Sequence, residues 1–125
     1  MKQVTLQIKT VSLFQIPEEY RLMLAEISAA CKRKDKKMSI NACILCALQE
    51  YLDLPSNEQP SPKLPNAPLR SFTVRTSNEM KQNISYCAAL WQIKSSFPVS
   101  MNAVVNTAIL NYLQKIFKSY HPSFK

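Results

Sequence analysis

The sequence predicts a mainly α-helical fold built from two strand–helix–helix units that share one core. Three observations lead there. One pattern of caps and apolar positions occurs twice, displaced by 60–61 residues. A proline-dense segment separates the two occurrences. The chain has no glycine, which disfavours tight hairpins and glycine-rich phosphate loops and suits helices.

Taken in order, Met1-Lys2-Gln3-Val4-Thr5 alternates instead of forming an apolar block, so no secretion signal is expected there. Val4–Lys9 continues the alternation. Val4, Leu6, Ile8, Phe14 and Ile16 share parity, so this segment extends a strand or forms an edge strand, with a flexible basic arm as the alternative. Leu13-Phe14-Gln15-Ile16 reads as a strand end, Pro17 suits a first helical position, and Glu18 and Glu19 suit a first turn. Tyr20, Leu24, Ile27 and Cys31 then fall on one helical face. Lys32-Arg33-Lys34-Asp35-Lys36-Lys37 forms a charged turn, and Ser39 opens a second helix bearing Ile44, Ala47, Leu48 and Tyr51.

The first unit is assigned to residues 1–52 and a linker to residues 53–70, with prolines at 55, 60, 62, 65 and 68. Proline at that density favours extended chain. Eighteen residues reach about 55–60 Å at most, enough to cross a four-helix core ~25–30 Å wide. Both units can therefore fold onto each other within one chain, with little dependence on protein concentration.

The second unit, residues 71–125, repeats the first. Ser71–Thr76 alternates as a half-buried strand does, and Thr76 and Glu79 have capping-box spacing. Met80, Ile84, Cys87, Ala88 and Trp91 form a helical stripe. Pro98 prevents a continuous helix, and Ser100 caps the next one, with Met101, Val104, Val105, Ala108, Ile109, Tyr112 and Leu113 as its apolar positions. Ser39-Ile40-Asn41-Ala42 matches Ser100-Met101-Asn102-Ala103, and Tyr51-Leu52 matches Tyr112-Leu113. A lone strand has no pairing partner, so each unit needs the other.

Phe72-Thr73-Val74-Arg75-Thr76-Ser77-Asn78-Glu79-Met80 resembles the strand-to-helix passage of the ribbon-helix-helix family of Arc and MetJ. Ser100-Met101-Asn102 is similar to that family's second-helix start. The resemblance implies a tandem ribbon-helix-helix pseudo-dimer whose two strands form an antiparallel ribbon, a fold that enters the DNA major groove. It also implies base-reading roles for the outward ribbon residues Ser71, Thr73 and Arg75. The aligned positions in the first unit are Val11, Leu13 and Gln15. Alternatively, Val4–Lys9 covers that face and Gln7 and Lys9 take over.

Charge agrees with an acidic partner. Residues 1–52 carry eight Lys/Arg against five Asp/Glu, residues 53–70 two against two, and residues 71–125 six against one. The excess lies in the units and points to double-stranded DNA. Phosphate anchors are expected at the two second-helix starts, Ser39 and Asn41, and Ser100 and Asn102, with Lys34, Lys36 and Lys37 flanking the first. No catalytic constellation or cofactor motif is present. His121 is the only histidine and lies in a tail. Cys43-x-x-Cys46 lacks the second pair that a zinc site requires. No window is apolar enough for a membrane span. The expected role is a cytoplasmic, nucleoid-associated repressor, with further self-association on DNA left open. The alternatives are an accessory protein of a conjugative relaxosome or partition complex, or a protein-interaction adaptor on the same fold.

Overall fold

A strand and two helices follow one another, twice. The computed structural model describes residues 9–33 and 38–122. Its elements are β1 (Lys9–Pro17), α1 (Glu18–Arg33), α2 (Ile40–Leu52), β2 (Leu69–Ser77), α3 (Asn78–Ser95) and α4 (Met101–Ile116). The fold is mainly helical, with one two-stranded antiparallel sheet. No described helix is long and apolar enough to cross a membrane.

The strands pair along their whole length, from Lys9 opposite Ser77 to Pro17 opposite Leu69. Even-numbered residues turn inward: Ser12, Phe14, Ile16, Val74 and Thr76 are buried and Phe72 is half-buried. That is the period-two pattern of a sheet with one face on a core. The Leu13–Thr73 pair sits at the middle of the register. A two-fold rotation through it would exchange Val11 with Ser71 and Gln15 with Arg75, the same pairs that the repeat aligns.

Local chemistry sets the helix starts. Ser39 Oγ accepts from the Ala42 amide at 3.0 Å, and Ser100 Oγ accepts from the Ala103 amide at 3.1 Å. Both seines are N-caps in extended conformation, as their spacing predicts. At α3 the cap is Ser77, not Thr76: Ser77 Oγ accepts from the Met80 amide at 3.0 Å. Thr76 has the inward parity of the strand, so its side chain is buried beneath the ribbon. Pro17 likewise ends β1 instead of opening α1. The strand β2 begins at Leu69, two residues into the segment assigned to the linker, because Leu69 and Arg70 pair with Pro17 and Ile16.

The core forms where α2 and α4 pack against each other, with α1 and α3 outside them. Its buried cluster draws Phe14, Tyr20, Leu24, Ile44, Leu48 and Tyr51 from the first half and Val74, Ile84, Val105, Ile109 and Leu113 from the second. Each second helix also meets the other half's strand, α2 against β2 and α4 against β1. The connecting segment is fastened to this core. Gln59 donates to the Tyr51 carbonyl at 3.0 Å and accepts from Trp91 Nε1 at 2.7 Å. Lys63 N donates to Thr107 Oγ1 at 2.8 Å, and Tyr51 donates its hydroxyl to the Pro60 carbonyl at 2.5 Å.

Candidate nucleic-acid interface

The ribbon faces away from the core with six side chains in three cross-strand pairs. These are Val11 with Arg75, Leu13 with Thr73, and Gln15 with Ser71. All six are exposed. Val11 and Leu13, at 61% and 67% exposure, are large apolar side chains that the other described residues leave uncovered. Gln15 Nε2 donates to Ser71 Oγ at 3.3 Å, which ties the two side chains at one end together. Same-face residues along a strand stand roughly 7 Å apart, close to two base steps of about 3.4 Å. Arg75 belongs to neither ion pair among the described residues, Arg21–Glu18 and Lys115–Glu50, so its guanidinium is free of a carboxylate.

A two-stranded ribbon has two open edges, whose outward N–H and C=O groups need partners. Asparagines from the second helices supply them at one residue on each edge. Asn41 Oδ1 accepts from Arg75 N at 2.7 Å and Asn41 Nδ2 donates to the Arg75 carbonyl at 3.0 Å. On the opposite edge the same task is divided. Asn102 Oδ1 accepts from Gln15 N at 3.1 Å, and Asn106 Nδ2 donates to the Gln15 carbonyl at 2.8 Å. Asn106 also donates to the Asn102 carbonyl at 2.8 Å. Each half thus grips the other half's strand at the backbone of an outward-facing residue, Arg75 or Gln15.

These bonds change what the asparagines offer. Asn41 spends both atoms of its side-chain amide on the ribbon and Asn102 spends its Oδ1, so what remains for an anion is Asn102 Nδ2 and the backbone N–H groups of the first helical turn. Ser39 and Ser100 cap from within, each on the third amide of its helix. The helix starts therefore sit beside the ribbon edges, next to Arg75 and Gln15. Lys34, Lys36 and Lys37 lie outside the described residues, as do residues 4–8 of the Val4–Lys9 segment expected to extend the strand. Lys9 is the first residue of β1.

Asn106 is the residue that sequence reading passes over. It is buried at 1% exposure inside an apolar helix, one turn beyond Asn102. That placement of an amide on a core-facing stripe was the available signal.

Apart from the exposed Cys46 and Tyr86, the cysteines and tyrosines belong to the interior or its rim. Cys43 and Cys87 are buried, Cys31 is half-buried and Cys46 is exposed, all as free thiols. Burial pushes the Cys43 thiol up to about 11, and raises Cys87 as well. Burial also pushes the Tyr20 and Tyr112 hydroxyls up to about 12. Tyr51 is raised by burial, and Tyr120 by burial together with its hydrogen bond to Glu19. The Arg21 guanidinium beside Glu18 holds that carboxyl below its usual range. Among the described residues no three His, Cys, Asp or Glu side chains are grouped as metal ligands.

Comparison with protein-family models, curated proteins and solved structures finds no match to this chain. The geometry of the site is therefore what bears on function.

Proposed function

We propose that the chain is a tandem ribbon-helix-helix protein, a single-chain counterpart of a homodimer, which binds duplex DNA in the major groove and acts as a transcriptional repressor. One observation carries this reading. The pairing register sets six exposed residues on the outer face of the ribbon, while both edges of that face are held by the second helices. A two-stranded ribbon fits the major groove. Side chains that face neither core nor neighbour are free to meet base edges there.

The chemistry within the face is unequal. Arg75 can bond guanine through two donors, and Ser71 and Thr73 can donate or accept. Across from them, Val11 and Leu13 offer only apolar contact, of the kind that suits a thymine methyl group. Gln15 is the one amide among the three. At the edges, the first-turn amides of α2 and α4 suit phosphates, and Lys34, Lys36 and Lys37 precede the first of them in sequence. Residues 1–52 supply one unit and residues 71–125 the other. In this reading the repeat is the two halves of a dimer written into one chain, located on the nucleoid in the cytoplasm.

The test is titration of labelled duplexes at graded salt. The chain is expected to bind a preferred duplex with a negative salt slope, and Arg75→Ala is expected to cost roughly 1–3 kcal/mol at one base pair. Gln15→Ala should cost less. If no duplex is bound even at low salt, the DNA reading fails and the adaptor reading takes its place.

A further inference from the structure

We propose that α3 carries a contact surface for a second copy of this chain, and that two chains close there as a dimer without DNA. Tyr86, Leu90 and Ile93 lie at four- and three-residue steps along α3 and are 66%, 48% and 78% exposed. Phe97, just past the left-handed Ser96 that ends the helix, is 71% exposed. These four are separate from the inward stripe of Ile84, Cys87 and Ala88, which already serves the core. Steps of four and three are the seam spacing of paired helices.

The other half of the molecule provides an internal control. By the repeat, Tyr86, Leu90, Ile93 and Phe97 correspond to Glu26, Ala30, Arg33 and Lys37. At the aligned positions α1 carries Glu26, Ala30 and Arg33 where α3 is large and apolar, and the one large apolar side chain exposed on α1, Leu22, aligns with Gln82. The fold itself has no need of the stripe, since the equivalent helix packs without one.

Area and charge favour a second copy as the occupant. The four side chains expose roughly 500 Å² per chain, at the upper end of the largest patch on a typical monomer. Paired across a two-fold axis they can remove at most about 1,000 Å² in total, the threshold for a specific interface. Between Lys81 and Lys94, α3 is uncharged. Lys94 itself lies over the Trp91 ring, 4.7 Å from its centre. Lys94 and Asp53, of opposite sign, both line the groove beside the stripe, so the contact carries little net charge despite the chain's net charge of +8. A groove of about 340 Å³ opens beside Tyr86 and Leu90, bounded by Leu52, Leu54 and Trp91, and gives the opposing side chains somewhere to go. Because each chain presents one stripe, an isologous contact uses both stripes and leaves nothing to propagate. Assembly stops at two.

The experiment is sedimentation of the full chain, free of nucleic acid, from about 1 to 200 µM, a range that spans weak association. The mass should rise from 14.3 kDa to twice that value and stop. Emission from Trp91, the sole tryptophan, should shift over the same range. Ile93→Glu should raise the midpoint of association by at least about tenfold, with the helical circular dichroism unchanged. Leu90→Lys provides a second disruption at an exposed site. Ala30→Glu on the equivalent face of α1 should leave association as it was. A single 14.3 kDa species at every concentration overturns the proposal, as does an open-ended series of masses. Equal effects from Ala30→Glu and Ile93→Glu would also overturn it. None of these outcomes depends on whether the chain binds DNA.

Discussion

Replacing Asn41 with alanine tests the cross-grip between the halves. The substitution removes two hydrogen bonds, the 2.7 Å bond from Arg75 N and the 3.0 Å bond to the Arg75 carbonyl. Each is worth about 1 kcal/mol net. Both lie on an exposed edge, where water can take over part of the role, and alanine is the better helix former by a few tenths of a kcal/mol. The expected loss is therefore about 1–1.5 kcal/mol, or a fall in melting temperature of roughly 3–8 °C for a chain of this size. Asn102→Ala removes only the bond from Gln15 N, so its loss should be about half as large. Asn106→Ala should cost more than either, about 2 kcal/mol or above, because a buried amide leaves a gap and the Gln15 carbonyl loses its partner. Thermal and urea unfolding of the three variants measure these differences directly. Equal stability of Asn41→Ala and the parent chain would show that the edge bonds contribute nothing. An Asn102→Ala loss exceeding that of Asn41→Ala would refute the division of labour described for the two edges.

Gln59→Ala should cost about 1–3 kcal/mol, since it strips the Trp91 indole N–H of its partner, and a shift in tryptophan emission should accompany it. Stability should fall as pH rises above about 10. Tyr20 and Tyr112 are held protonated up to about 12 in the folded chain, whereas the unfolded chain releases those protons near 10, so their contribution is complete below pH 10 and is lost as pH climbs through 12. The part of the tyrosine absorbance change that comes from Tyr20 and Tyr112 should therefore accompany unfolding, and titration of these two hydroxyls in a still-folded chain would contradict their burial. In the Ile93→Glu chain, hundredfold dilution should leave the melting temperature unchanged, because both halves of the core belong to one molecule; a steady fall would reveal exchange of halves between chains. Lys36→Gln with Lys37→Gln should weaken all duplexes by a similar factor and flatten the salt slope by up to about 0.9 per lost phosphate contact, whereas an unchanged slope would mark the run as a solvated turn.

The elements were legible wherever side-chain period alone decides them. The alternation around Phe72 and Val74, the caps at Ser39 and Ser100, and the stripes on α2 and α4 all required only local reading. The exchange of Thr76 for Ser77 as the α3 cap was not legible. Two adjacent hydroxyls compete there, and the pairing of β2 with β1 settles which one turns inward. The grip of Asn106 on Gln15 spans 91 residues, and no local pattern announces what a buried amide will face. Gln59 was hidden for the same reason, inside a segment that composition marks only as extended. The outer stripe of α3 was obscured because that helix carries apolar residues on more than one face, so its two surfaces blur into one another. The six outward ribbon residues were legible by parity, but their pairing as Val11–Arg75, Leu13–Thr73 and Gln15–Ser71 required the register.

Selection of bound sequences from a pool of random duplex DNA is the decisive experiment for groove reading by the ribbon. Run with the Ile93→Glu chain, it isolates what one ribbon reads. The face pairs Arg75, Thr73 and Ser71 with Val11, Leu13 and Gln15, so the two strands present different chemistry to the groove. The predicted result is a non-palindromic site, strongly specified on the side read by Arg75 and loose on the other. Recovery of a strictly symmetric consensus, or of no enriched sequence at all, would contradict the account.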